Sequence, residues 1–297
     1  MINFRYHVVS IIGIFMALAV GVVLGAGPLQ RTINTGMNRS SSAAASDPQL
    51  SAQAEAEAAG LKALASSSLT GSLTGTQVAL VVLPGASDDD VAAVRSTLTD
   101  AGASVVGRVT LTDNWQSTSM SQYRATLSTS LASHLESAAA KTASADGVVG
   151  YSIVQVLTSS GSETDLLRQI LTDKSTPLMT IDEDPAGKAT TLVAIGARAQ
   201  SAATASSAPT SPDAWVGMAQ AVGSTIVRSA VITFIDASSR DAMISRIRSA
   251  GTAVTTVDSV GTTLATVDTA LALSTKATGA RAYGVGSGAQ SVIPSNK

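Results

Sequence analysis

The chain has 297 residues, a formal net charge of -2 and only 13% charged side chains. A surface so close to neutral offers no basic field to hold nucleic acid and no acidic tail. Cysteine is absent, which excludes disulfides, thiolate metal sites and cysteine nucleophiles. The length suffices for an anchor, a linker and one or two domains of ordinary size.

Val8 to Gly27 read VVSIIGIFMALAVGVVLGAG, without a charged side chain. At about 1.5 Å of rise per residue such a stretch reaches roughly 30 Å, the depth of a bilayer's hydrocarbon core. A helix satisfies its own backbone there, so residues 1-30 are predicted to be a transmembrane signal anchor in the lipid bilayer. Gly13, Ala17, Gly21 and Gly25 recur every four residues. They line one face, and small residues at that spacing predict helix packing, either in a homo-oligomer or with a partner membrane helix. Arg5 precedes the apolar run, Arg31 and Arg39 follow it, and no acidic residue occurs before Asp47. A short head before a single apolar segment favours an amino terminus inside and an extracytoplasmic carboxy-terminal part. The expected location is the cell membrane, single-pass, rather than the outer membrane. A cleaved signal peptide, with Gly25, Ala26 and Gly27 at the cleavage site, is the alternative.

Residues 31-76 read as a Ser/Ala-rich linker with a short helix. Leu50 to Ala65 is rich in helix formers, but Leu50, Leu61 and Leu64 do not sustain a heptad seam. The folded part, 77-297, opens on VALVVLP, a Val-rich run suited to a strand buried on both faces. PGASDDD follows, with Ser87 as cap, three aspartates in the first turn of a helix Asp88 to Ala101, and Gly102 ending it. Ser104 to Leu111 completes a βαβ unit.

The same grammar returns in AVITFID, ASSRDAMISRIRSAG and TAVTTVDSV: Ala86, Ser87 and Asp90 echo Ala237, Ser238 and Asp241. This is either an internal duplication, with halves 77-200 and 212-297, or two βαβ units of one sheet. Between them, Tyr123 to Lys141 reads as a surface helix and VVGYSIVQVL as a strand or the start of a buried helix. Thr164 to Asp173 reads as a helix with Leu166, Leu167, Ile170 and Leu171 inward. PLMTID and TTLVAIGA read as strands, Pro212 to Arg228 and Thr262 to Lys276 as helices. Alternating strands and helices predict a Rossmann-like layered α/β domain.

No catalytic constellation emerges. A hydrolytic nucleophile needs a base and an orienting group, yet the histidines are only His7 and His134 and there is no GxSxG elbow. Asp88, Asp89 and Asp90 are explained by the helix start, and three carboxylates would repel a phosphate there. IDEDP (Ile181 to Pro185) could hold a cation but reads more simply as an acidic turn. GVGSG (Gly284 to Gly288) lacks the Lys of a phosphate loop and reads as a tight turn. No catalytic, cofactor-binding or metal site is assigned, and a non-enzyme is expected. Aromatic residues are only 3%, too few for the girdles of a membrane β-barrel.

The amino-terminal MINFRYHVVSIIGIFMALAVGVVLGAGPL, the stretch ALVVLPGASDDDVAAVRSTLTDAGASVVGRVTLTDNW and the carboxy-terminal TTLATVDTALALSTKATGARAYGVGSGAQSVIPS together resemble the actinobacterial MctB family. Tyr283-Gly284, Gly286, Gly288-Ala289 and Pro294 are among the most specific positions. The resemblance implies an actinobacterial cell-envelope protein linked to copper efflux or homeostasis, with an envelope protein partner. The alternative it implies is an adaptor or scaffold for a cell-wall hydrolase in cell separation. The chain departs from the family in its short Ala/Ser-rich stretch, Ser40 to Ala65, where members carry a longer, more charged coiled coil. Copper favours clustered thiolate, thioether or imidazole ligands. Here Met16, Met179, Met218 and Met243 lie scattered in apolar patterns, so copper is implied by the resemblance and not by a ligand cluster.

Overall fold

The computed structural model describes residues 48–198, 210–225, 229–232, 243–275 and 279–294. The predicted anchor over 1-30, with Gly13, Ala17, Gly21 and Gly25, lies outside these residues, as do Ala237, Ser238 and Asp241. Among the described residues no helix is long and apolar enough to cross a membrane.

The strands are β1 (Gln77–Val82), β2 (Ser104–Leu111), β3 (Met179–Glu183), β4 (Thr191–Ile195), β5 (Ala230–Ile232), β6 (Thr255–Val257) and β7 (Arg281–Tyr283). They form one sheet in the order β3-β2-β1-β4-β5-β6-β7. Every pairing is parallel except β2 with β3, which is antiparallel at the edge. The helices are α1 (Pro48–Leu69), α2 (Asp88–Asp100), α3 (Asp113–Gln116), α4 (Ser121–Ala132), α5 (Ala145–Thr158), α6 (Ser162–Leu171), α7 (Pro212–Thr225), α8 (Met243–Ser249) and α9 (Thr263–Ser274).

Burial along β1 explains the layers. Val78 to Val82 are all buried, because successive side chains of a strand point to opposite faces and both faces are covered. Ala79 and Val81 join Val109, Leu192 and Ala194 in a core completed by α5, α6, α7 and α8. Val78, Leu80 and Val82 join Val193, Ile195 and Val257 in a second core, closed by α1, α2 and α9.

The structure corrects several expectations. α1 continues through the serines to Leu69, and Ala65, Leu69 and Leu73 enter the second core. Ala56–Lys297 form one compact unit. Three apolar side chains spaced four apart supply the burial, and the Ser/Thr residues between them face outward. VVGYSIVQVL lies wholly within α5, which is buried at every position from Gly147 to Leu157. The expected surface helix from Tyr123 stops at Ala132, and a separate turn of 3-10 helix covers Ala138–Thr142. α4 is not a purely surface helix either, because Arg124 is fully buried. Its Nε donates to Asp146 at 2.6 Å and its Nη1 to the carbonyls of Ser117 and Asn114, at 2.8 and 3.1 Å. Leu166 points outward at 41% exposure, while Leu167 and Leu171 go in.

α5 and α7 approach until backbone meets backbone. A Cβ on Gly150 would stand 2.8 Å from the Gly217 carbonyl oxygen, and one on Gly217 would stand 2.7 Å from the Asp146 carbonyl carbon. Neither neighbour is a movable side chain. Gly150→Ala should therefore destabilise the fold by about 1–3 kcal/mol, the usual cost of overpacking. Chemical denaturation followed by Trp fluorescence checks this, since Trp115 and Trp215 are both buried in the core that contains the contact; an unchanged midpoint would exclude a rigid glycine contact.

Candidate functional site

β1 and β4 are neighbours in the sheet, yet the helices that follow them leave to opposite faces, α2 into the second core and α7 into the first. In open α/β sheets the carboxyl ends of strands at such a switch are where ligands are held. Gly85, at φ 81°, makes the turn after β1, and a Cβ there would approach that of Ala197 to 3.3 Å.

The aspartates after this turn do not act alike. Ser87 occupies the cap position in extended conformation, but its side chain makes no capping hydrogen bond. Asp90 is 4% exposed, and its two carboxylate oxygens accept from Arg198, Nε at 2.8 Å and Nη2 at 2.7 Å. Asp88 accepts from Arg108 Nη2 at 3.0 Å. The three aspartates lie in the first turn of α2 as expected, and Asp90 and Asp88 in addition pair with arginines from two neighbouring segments. Hydrogen bonding to Asp90, reinforced by its charge, raises the Arg198 pKa above the usual arginine value. The Arg198 stem passes over Gly261, where a Cβ would lie 2.6 Å from Nε.

Beside this pair opens a groove of about 460 Å³, walled by α1 (Lys62, Ser66) with Thr70 just after it, α2 (Asp89, Thr97) and the start of α9. Four of its threonine hydroxyls donate to backbone carbonyls close by in the chain. Thr70 donates to the Ser66 carbonyl at 2.7 Å, Thr97 to Ala93 at 3.0 Å, Thr262 to Ser259 at 2.8 Å and Thr266 to Thr263 at 2.9 Å. The carboxylates of Asp89, Asp90 and Asp100 and the cations of Lys62 and Arg198 also line the groove. The arrangement suits a polar group that donates hydrogen bonds, and it brings no histidine, cysteine or tyrosine beside the hydroxyls.

The other sequence candidates are placed as follows. Asp182, Glu183 and Asp184 of IDEDP each meet an arginine. Asp182 accepts from Thr110 at 2.6 Å and lies 3.4 Å from Arg108. Glu183 takes Arg95 on both oxygens at 2.6 Å. Asp184 takes Arg168 at 2.6 Å, and that hydrogen bond holds its carboxyl below the usual carboxylate range. GVGSG is a turn wrapped around a carboxylate, with the amides of Val285 and Gly286 donating to Asp258 at 2.7 and 2.9 Å. Gly284 sits at φ 121°, and any Cβ there would collide with the Asp258 carboxyl.

His134 follows α4, with Nδ1 2.6 Å from Glu163. Met179, Met218 and Met243 are all buried in the first core, while His7 and Met16 lie outside the described residues. Among the described residues no group of three or more His, Cys, Asp or Glu side chains could hold a metal ion. Sequence reading missed Arg198 and Asp258; the one available signal was that each stands just past the carboxyl end of a strand, where α/β sheets concentrate functional groups.

The Asp90–Arg198 pair predicts an asymmetry. The Asp90 side chain is 5% exposed and that of Arg198 55%, so removing the arginine strands a buried carboxylate, whereas removing the carboxylate leaves a cation that water can reach. Arg198→Met should lower the thermal midpoint more than Asp90→Asn, and the reverse order in a melting experiment would refute this account of the pair.

Two comparisons with known proteins bear on this fold. Over 123 residues the chain is 32% identical to proteins named copper transporter MctB from Mycobacterium bovis and Mycobacterium tuberculosis, a match covering 39% of this chain and 39% of each relative. The matched stretch thus spans less than half the length of those curated relatives. A family described as "Copper transport outer membrane protein, MctB" matches residues 1–294, and the chain belongs to that family.

Proposed function

We propose that the chain is a cell-envelope protein that takes part in copper homeostasis, held in the cell membrane by a single span over residues 8–27, with its α/β domain extracytoplasmic. The observation that carries this reading is the family match, which includes the apolar run as well as the domain. The strand order supports a Rossmann-like binding module, since β3-β2-β1-β4-β5-β6 follows the doubly wound sequence of strands apart from the reversed edge strand. The described strands are consumed in a sheet covered on both faces, which favours a tethered domain over a lipid-facing barrel.

In this reading the domain works without catalysing a reaction. It engages an envelope partner through the groove beside Asp90 and Arg198, and copper passes by way of that partner rather than through a tight site on this chain. The stripe Gly13, Ala17, Gly21 and Gly25 pairs the anchor with a second copy or with a partner helix.

A deletion strain should lose copper tolerance and regain it with the wild-type gene; normal tolerance accompanied by chained cells would refute the copper role. A carboxy-terminal reporter that fluoresces only in the cytoplasm should stay dark, and a bright signal would overturn the orientation. Gly21→Leu with Gly25→Leu should reduce cross-linking between anchors while leaving membrane insertion intact.

A further inference from the structure

The outer edge of β7 is closed by the chain's own end. The Ala282 carbonyl accepts from the Gln290 amide at 2.7 Å, and the Ala282 amide donates to the Gln290 side-chain oxygen at 3.3 Å. Gly284 donates to the Ser291 carbonyl at 3.1 Å. The turn between is seated on Asp258, which accepts from the Val285 and Gly286 amides, and on Arg248, which donates to the Ser287 carbonyl at 3.1 Å. This closely tied segment nevertheless turns aliphatic side chains to water: Val285 is 61% exposed, Val292 50% and Ile293 42%. The bridge between Tyr283 and Ser291 is parallel, so Val292 and Ile293 continue beside Gly284 and Val285 on one rim of the sheet.

Cations accompany them. Val254, just before β6, and Arg281, at the start of β7, line a hollow of about 120 Å³ with Arg248, Gly288 and Gln290. Arg281 is exposed. After Asp268 the sequence holds Lys276, Arg281 and Lys297 and no acidic side chain, and Asp258 and Asp268 are themselves fully buried.

We propose that this rim docks on an anionic lipid bilayer, with Val285, Val292 and Ile293 entering the boundary between headgroups and acyl chains and Arg281 meeting a lipid phosphate at the hollow. Area and charge select this occupant. Three aliphatic side chains offer far less than the roughly 800 Å² that each partner of a stable protein complex buries, and the one aromatic residue of the rim, Tyr283, is buried. An interfacial membrane contact needs only a shallow aliphatic wedge, and each neighbouring cation adds attraction to anionic headgroups. The inference rests on the proposed span for nearness to the membrane alone, since a tether makes a weak contact intramolecular.

The chain has no cysteine, so a single introduced cysteine labels one site. Full-length Val292→Cys and Leu166→Cys, each carrying an environment-sensitive nitrobenzoxadiazole dye, are reconstituted into vesicles of phosphatidylcholine with or without phosphatidylglycerol, using nitroxide-bearing acyl chains as quencher. Leu166, exposed on α6, is the control. The label at 292 should be quenched in the anionic vesicles and the label at 166 should not. Quenching at 292 should disappear without phosphatidylglycerol, and also at about 1 M salt, where the screening length is about 3 Å. Arg281→Glu should weaken docking at least about fivefold, the loss of one cation's attraction to the surface. No quenching at 292, equal quenching at both sites, or quenching indifferent to lipid charge overturns the proposal. A blue shift at 292 without lipid quenching assigns the rim to a second copy and overturns it as well. Met16→Cys with the same dye reads the span separately: quenching at 16 but not at 292 counts against the docking alone, and quenching at 292 but not at 16 supports the docking and counts against the span.

Discussion

Burial of both faces of the central strands is the constraint from which the rest of the structure follows. β1 and β4 carry apolar side chains in both directions, so each face has to be roofed by helices. α1, α2 and α9 roof one side and α4 to α8 the other. The chain changes sides between β1 and β4, so the switch point between them is a product of that covering and needs no dedicated sequence motif. The same requirement draws in α1, whose Ala65 and Leu69 complete a core that α2 and α9 leave partly open.

Charge in this domain ties segments of the chain together. Most of the conspicuous acidic side chains are paired: Asp90 with Arg198, Glu183 with Arg95, Asp184 with Arg168, Asp146 with Arg124. Each pair ties segments distant in sequence, and where an arginine fork meets a carboxylate on two oxygens it also fixes their orientation. Exposed pairs of this kind add little stability. The buried ones matter more, because a carboxylate left without its arginine inside the fold is costly. Asp258 follows the same logic with backbone amides.

Local physics was legible wherever a pattern and its environment agreed. The Val-rich run of β1, the strand Ser104 to Leu111 and the start of α2 all lie close to their expected places, since propensity, punctuation and burial point the same way. Legibility failed where composition misled. The serine- and alanine-rich stretch after Leu61 looks like linker, and only the core it meets turns Ala65, Leu69 and Leu73 inward. VVGYSIVQVL is ambiguous between strand and buried helix because neither exposes a polar face, and the contact of Gly150 with Gly217 resolves it.

By itself the sequence determined the α/β class, the alternation of strands and helices, the near-neutral surface and the absence of cysteine chemistry, because these depend on residue type and local spacing. Tertiary structure alone decided the strand order, the groove among α1, α2 and the start of α9, the pairing of Asp90 with Arg198 across 108 positions, and the seat that Asp258 offers to the GVGSG turn. Those features join residues far apart along the chain. A carboxylate at a helix start reads the same in sequence whether it faces water or an arginine, and only the packing of the layers settles which.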